Sequence, residues 1–491
     1  MKMREKSMGN HSGSQALAGH RKALFLTILA LAWPTLLEQM LQTLVQYIDA
    51  AMVGRIGAEA TATVGMSTSV TWLVNGPLFA MGIGFMAFIS REMGAEAFEN
   101  VKRASVQAVI VTVVTGIGVG VLTLAVSPIL PTWMGVDPAI KKDASLYFAI
   151  ICLPMLFRSA IIIFGALLRA VGDTKTPMYV NVCMNLVNIV LNYLFIYDTR
   201  MIKIGGASVK MFGFGYGAVG AGIGTAVSFV VGGIFMTIAL YKNRYVSPAG
   251  CEIRPEREIM EPCIRVGFPV AMERMATCLG HVVFASLVTG LGTVAFAAHS
   301  IALTVEQAFY IPGYGMQAAA ATLAGNAIGA KDQKRLHELT RMLIVIILVI
   351  MTVSGALLFF MAPQLLQLFT KESDVIALGT VVLRMVAVSE PLFGVLIILE
   401  GIFNGVGDTV KPFYYALFSM WCVRVLGTFF CVKVFHLGLY AVWGCMIANN
   451  VCLGSLFILR YLRGGWNPLN KEKVENKNSS RNRDKFRKAM W

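Results

Sequence analysis

The 491-residue chain is 56% hydrophobic and only 14% charged, with a mean hydropathy of +0.68, against about 25% charged residues in a soluble domain. That composition excludes a disordered, coiled-coil or collagen-like chain, and an ordinary soluble enzyme with it. The formal net charge of +15 would point to nucleic acid on a soluble surface, but the charges here gather beside apolar helices and read as anchors to acidic lipid.

The chain opens with Lys2, Arg4, Lys6, Arg21 and Lys22, then an apolar stretch at 23–50. This stretch is too long for a signal peptide and no small-residue cleavage site closes it, so it reads as a first membrane helix. Apolar stretches follow at 59–89, 104–130, 144–169, 177–197, 216–241, 258–289, 294–325, 339–366, 375–403, 411–434 and 438–461. Each reaches the roughly 20 residues that cross a bilayer, which gives twelve spans. Several are longer than that and are expected to tilt or to project from the lipid. Most of the nine cysteines lie inside these stretches with no Cys-x-x-Cys pair, so neither a zinc site nor a disulfide framework follows.

The basic residues orient the spans. Of the 42 Lys and Arg, only Arg55, Lys141, Lys142, Arg200, Lys203, Lys210, Lys371 and Lys433 fall on one side, and Arg158, Arg274, Arg384 and Arg424 fall within spans. All the rest lie on the side that holds both termini. The positive-inside rule makes that side cytoplasmic and the number of spans even. The expected location is the cell membrane, multi-pass, with both termini in the cytoplasm.

The chain also repeats. Shifted by 235 residues, Pro34 meets Pro269, Glu38 meets Glu273, Pro77 meets Pro312, and Val171-Gly172-Asp173-Thr174 meets Val406-Gly407-Asp408-Thr409. Six spans per half is an even number, so the halves insert with the same orientation, as parallel repeats. The expected fold is an all-α polytopic membrane protein of twelve transmembrane helices in two parallel six-helix repeats. Its expected divisions are a cytoplasmic segment at 1–21, an N-lobe at 22–241, a polar linker at 242–257, a C-lobe at 258–463 and a basic cytoplasmic tail at 464–491. Two related lobes around a central cleft make a transporter layout, in which the lobes rock about one site.

Ionisable groups inside spans are costly and mark function. The first span carries Glu38 and Asp49, eleven positions apart and so close to one helical face, with Gln42 and Gln46 beside them. Such a stripe faces a water-filled cavity. Asp49 reads either as an interfacial residue near a helix end or as a proton or cation site, since a buried carboxylate can exchange protons near neutral pH. The fifth span carries Asn181, Asn185, Asn188 and Asn192 on one face. Four amides suit a ligand cavity better than packing alone, although interhelical hydrogen bonds are the other use. In the second half Glu273 stands next to Arg274, and an ion pair competes there with a coupling role. Glu306, Glu390 and Glu400 read either as acceptors for a cationic substrate or, for the last two, as partners of Arg384 or Arg424.

The expected assignment puts ion coupling at Asp49, Glu38, Asn185 and Asn188, with sodium held at Asp49 and Asn185 where sodium is the driving ion. Gln42, Asn181, Asn192, Glu273, Glu306 and Glu390 are expected to bind substrate. The Gly-Asp-Thr turns at 172–174 and 407–409 read as capped helix ends rather than phosphate loops. With no nucleotide-binding domain, an ion gradient or downhill movement remains as the drive. No metal cluster or nucleophile triad is seen, so no enzyme activity, metal or organic cofactor is expected.

Together Pro34, the run Tyr47-Ile48-Asp49-Ala50-Ala51-Met52-Val53-Gly54, the run Ala166-Leu167-Leu168-Arg169-Ala170-Val171-Gly172-Asp173-Thr174 and its echo at Gly401 to Thr409 resemble the multidrug and toxic compound extrusion family, called MATE. The resemblance spans about 20–465. It implies proton- or sodium-coupled export of small amphipathic organic cations, and it maps the family's first-helix aspartate onto Asp49. The family's fifth-helix asparagine falls among Asn181, Asn185 and Asn188. The deeper acidic position of the seventh helix has no match, because Thr277 and His281 stand there, and Glu390 approximates a tenth-helix aspartate. The expected partners are organic cations and membrane lipids, with no nucleic acid, and the expected state is a monomer. A flippase for a lipid-linked oligosaccharide or lipid, from the same superfamily, is the alternative.

Overall fold

A computed structural model describes residues 2–135, 137–138, 140–204 and 207–470, with side chains from Gly19 onward except those of residues 20, 58, 68, 69 and 200–211. The basic tail expected at 464–491 therefore lies outside the described residues from 471 on. The helices in chain order are α1 (Lys2–Gly54), α2 (Ala58–Gly94), α3 (Phe98–Val126), α4 (Leu130–Trp133), α5 (Lys141–Cys152), α6 (Met155–Ala170), α7 (Lys175–Ile196), α8 (Gly217–Lys242), α9 (Arg257–Thr289), α10 (Thr293–Gly329), α11 (Gln333–Gln367), α12 (Ser373–Val406), α13 (Val410–Phe418), α14 (Leu426–Phe429) and α15 (Leu439–Arg463). Between α7 and α8 an antiparallel hairpin pairs β1 (Asp198–Ile204) with β2 (Ala207–Phe214), in a stretch the sequence leaves between spans.

Among the described residues, eleven helices are long and apolar enough to cross a membrane. A twelfth span arises when α5 and α6, bent by 46° at a short break, count as one. The cause of the break is Pro154, which stands at the start of α6 and cannot continue a helix without losing a backbone bond. Pro391, by contrast, sits inside an unbroken α12. The eleventh span is continuous but changes pitch, with π-helical turns at Ser419–Val425 and Phe430–Val434 on either side of α14.

Apolar faces collect into separate cores. Phe85, Ile89, Ile163 and Leu167 pack together in the first half, while Ile347, Met351, Ile397 and Phe403 do so in the second. Across the halves, α1 packs on α10 and α2 packs on both α9 and α10. The repeat-related turns after α6 and α12 both use a left-handed glycine, Gly172 at φ 87° and Gly407 at φ 82°, a conformation that costs glycine little. Their aspartates diverge. Asp173 caps α7 by accepting from the Thr176 amide at 3.0 Å, whereas Asp408 takes a two-pronged bond from Arg460, each prong 2.6 Å. The end of the 242–257 segment is held against α3: Gln107 donates to the Arg254 carbonyl and accepts from the Glu256 amide, and Arg103 pairs with Glu256.

Candidate transport site

α1 and α7 run in the same direction side by side. The Asn181 amide donates to Glu38 Oε1 and the Asn192 amide donates to Asp49 Oδ1, each at 2.8 Å. Both pairs are 143 residues apart in sequence. An eleven-residue step on one helix therefore meets the same step on the other, and the two acid–amide pairs stand about 16 Å apart along the axis. The stripe on the first span and the asparagine face of the fifth span are two sides of one seam.

The Asp49 end is richer. One end of the Asn188 amide lies 3.1 and 3.2 Å from the two Asp49 oxygens. With its nitrogen turned to Asp49 it donates to both, and its oxygen accepts from the Thr225 hydroxyl of α8. With its oxygen turned to Asp49, its nitrogen donates to Thr225 at 3.2 Å and Ser228 at 3.5 Å. Two acceptors then face each other until a proton or a cation lies between them. The close approach of α8 depends on Gly224, because a Cβ there would collide with Asn192 Oδ1. Small residues at such positions let membrane helices meet. Asp49, Asn188, Asn192 and Thr225 together offer one carboxylate and neutral oxygens, a donor set that fits a hard monovalent cation as well as a proton.

The Glu38 end is built differently. Arg169 points at Glu38 Oε1 from 3.5 Å, while Glu38 Oε2 is enclosed with no partner. This pair lies where the halves touch: Thr322 donates to the Arg169 carbonyl at 3.2 Å, and Thr35 donates to the Gly315 carbonyl at 2.6 Å. Gly84, Gly94, Gly325 and Gly329 press on Cys263, Asn326, Ser90 and Arg91 of the opposite half, so closely that a Cβ would not fit. All of these sit toward the end of the bundle that carries Arg91, Arg169 and Lys331, the basic end.

In the second half, Glu306 of α10 and Glu390 of α12 are both buried and lie within electrostatic reach of each other. Neither Glu390 oxygen has a hydrogen-bond partner. Arg424 lies within reach of Glu306 and stacks its guanidinium 4.3 Å above the Phe284 ring. Nearby, Trp443 donates to His299 at 3.2 Å. Glu273 and Arg274 of α9 meet Glu400 of α12, and Glu400 lies beside Gln317. Arg384 belongs to neither group; it donates to the Phe359 carbonyl.

The expected site residues thus fall into separate places. Asp49, Asn188 and Asn192 come together, as do Glu38 and Asn181 and, in the second half, Glu306 and Glu390. Asn188 and Asn192, rather than Asn185, are the amides against Asp49; Asn185 is buried on α7 between the two pairs. Gln42 is exposed on α1, and Glu273 stays with Arg274. Sequence reasoning missed Arg169, Thr225 and Ser228. Thr225 and Ser228 carried a signal, being polar residues three apart in a glycine-rich apolar run. Arg169 carried little, since it ends a span where basic residues are ordinary.

The MatE family model matches residues 34–194 and 269–430, two stretches that begin 235 residues apart, the offset of the internal repeat. Among curated proteins, the chain is 27% identical over 440 residues to a probable multidrug resistance protein NorM of Thermotoga maritima, covering 89% of this chain and 92% of the relative. It is 23% identical to the multidrug export protein MepA of Staphylococcus saprophyticus, covering 90% and 94%. Among solved structures, a MOP-superfamily transporter from Pyrococcus furiosus, described as having a binding pocket of reverse polarity, superposes with a TM-score of 0.83 at 24% identity over 91% of this chain and 97% of that one. An outward-facing multidrug resistance MATE transporter superposes at 0.82 and 24%, over 91% and 96%. These structures share the fold. The duplicated match to the family model, joined to a membrane bundle of this architecture, means that the chain belongs to the MatE family, whose members are transporters and not enzymes.

Proposed function

We propose that the protein exports small organic cations or drugs across the cell membrane as a proton- or sodium-coupled antiporter, by alternating access between its two halves. The observation that carries this reading is the Asp49 cluster: a carboxylate inside the bundle, held by Asn192 and matched to an Asn188 amide that can present either end to it. Such a group binds one proton or one hard cation and rearranges its hydrogen bonds when it does. Glu306 and Glu390 give the second half acceptors for a cationic substrate. The packed glycines at the basic end support a closed side there. The surplus of Lys and Arg at that end supports its being cytoplasmic, with both termini on the same side. Residues 22–241 and 258–463 act as the moving lobes of one monomer, joined by 242–257.

The flippase reading is the weaker one. A lipid-linked sugar phosphate needs a cationic cavity, and Arg274 and Arg424 each lie against carboxylates. The decisive experiment uses proteoliposomes loaded with a fluorescent organic cation, with imposed proton or sodium gradients. Gradient-driven movement that disappears in Asp49→Asn is the expected result. Gradient-independent transport, or scrambling of a lipid-linked sugar instead, would overturn it.

A further inference from the structure

A cavity of about 630 Å³ opens at the basic end of α7 and α8, lined by Asp173, Thr176, Tyr179, Cys183, Phe235, Lys242 and Arg244 among others. It lies about 24 Å along α7 from the Asp49 cluster, counted from Thr176 to Asn192, and at the axial level of the Glu38–Asn181 pair, whose Asn181 is buried against α1. Its chemistry is split. One wall is apolar and turned outward, with Tyr179, Phe235 and Ile238 all exposed among the described residues. The rim at the end of α8 carries Lys242 and Arg244, neither of which makes an ion pair among the described residues. The one carboxylate there, Asp173, is already engaged by the Thr176 amide and hydroxyl at 3.0 and 2.8 Å and by Asn243 at 3.4 Å. The available charge of the rim is therefore positive.

We propose that this groove binds an anionic phospholipid, with the headgroup phosphate on Lys242 and Arg244 and an acyl chain along Tyr179, Cys183, Phe235 and Ile238. Each part of the argument excludes a different occupant. The apolar wall has no use for a free phosphate, and the unpaired cations have no use for an uncharged acyl chain alone. The cations stand at the end of α8, beyond its apolar run, at the depth of headgroups, and basic pockets between membrane helices suit acidic lipid at that depth. The drug-like cations of the proposed transport activity would be repelled by the rim, so this site is not a second substrate entrance.

Cys183 supplies a reporter, since it is an exposed free thiol in the groove, and Cys422 on the eleventh span is an exposed thiol elsewhere. The full-length protein is placed in nanodiscs of phosphatidylcholine alone or with added phosphatidylglycerol, and maleimide labelling of each cysteine is followed by peptide mass spectrometry. Phosphatidylglycerol is expected to slow labelling at Cys183 and to leave Cys422 unchanged. In the double variant Lys242→Gln and Arg244→Gln, the phosphatidylglycerol concentration needed for half of that protection should rise by roughly 30-fold. Equal protection by phosphatidylcholine, protection that persists in the double variant, or no protection at all would overturn the proposal. Glycerol 3-phosphate added in solution should not protect; if it does so as well as the lipid, the site reads a phosphate alone and the lipid assignment fails. The double variant replaces two exposed rim residues, and its labelling of Cys422 reports whether it remains folded.

Discussion

At the same place in the repeat, the two halves carry opposite chemistry. Asp49 of the first half corresponds, 235 residues on, to Phe284 of the second. Asp49 is a carboxylate that takes amide donors from α7. Phe284 is a ring face that takes the guanidinium of Arg424. The amides have gone as well: Asn181, Asn185, Asn188 and Asn192 correspond to Ala416, Met420, Val423 and Gly427. The second half instead holds its carboxylates, Glu306 and Glu390, on α10 and α12. Its eleventh span carries a buried cation within a π-helical stretch, a geometry often found at functional sites. Duplication kept the order of spans and changed which helices carry the interior charges. That difference underlies the proposed division, with ion binding in the first half and substrate recognition in the second, and each substitution below tests one side of it.

The largest effect is expected from Asp49→Asn. It removes the charge and keeps the shape, so membrane insertion and thermal stability should hold while gradient-driven efflux falls to background in proteoliposomes. Wild-type efflux under a matched gradient would end the assignment of coupling to the first half.

How far this seam was legible in sequence depends on the residue. The stripe of Glu38, Gln42 and Asp49 and the asparagine face of α7 both follow from helical periodicity, and so does the twelve-span bundle. That the stripes face each other was also encoded, in the shared eleven-residue step from 38 to 49 and from 181 to 192. Reading it required knowing that α1 and α7 are neighbours, and sequence spacing does not carry adjacency. The choice among the amides was lost for the same reason. Asn185 and Asn188 differ by three positions on one face, and only the axial register against α1 brings Asn188 to Asp49. Arg169 was hidden differently. Its pairing with Glu38 joins a helix end to a span interior, and no periodic signal links the two.

Gly224→Ala tests the geometry of the ion site without touching a polar atom. The added methyl collides with Asn192 Oδ1 and should draw Asn192 away from Asp49. Losing a hydrogen bond to a charged group costs about 1.5–3 kcal/mol, and this one favours the empty carboxylate over its loaded form, so a proton should bind at Asp49 about 10- to 100-fold more tightly. Gly444→Ala is the matched control, since a Cβ there meets nothing within 4 Å. Ion titrations that do not separate the two variants would mean that Asn192 plays no part in coupling.

Glu390→Gln probes the second half. Both of its oxygens are buried without partners, so replacing it removes a titratable interior carboxyl and breaks no hydrogen bond. Ion binding measured by isothermal titration should stay unchanged, while the efflux spectrum shifts away from cationic dyes toward neutral ones. Loss of ion binding in Glu390→Gln with its retention in Asp49→Asn would reverse the roles of the halves.

Glu38→Gln and Arg169→Gln, separately and together, address the pair at the junction of the halves. A single substitution leaves the other charge partly buried and alone, which is costly, whereas the double variant removes both. A double-mutant cycle on thermal unfolding in detergent should give a coupling of about 0.5–3 kcal/mol, with ion binding little changed. A cycle that sums to zero would make Glu38 available for coupling and extend the ion site along the whole seam.

The smallest effect is expected from Gln42→Ala. Gln42 lies on the same stripe, four residues after Glu38 and seven before Asp49, but its side chain is exposed and makes no hydrogen bond among the described residues. An exposed amide in a water-filled cleft exchanges one hydrogen-bonding partner for another, so its net contribution is about 1 kcal/mol or less. The KM for an organic cation should rise no more than about fivefold, with the maximal rate and the ion dependence unchanged. A collapse of transport in Gln42→Ala would mean that substrate and ion share the seam between α1 and α7. The first half would then perform both tasks, and the difference at Asp49 and Phe284 would no longer divide the work between the halves.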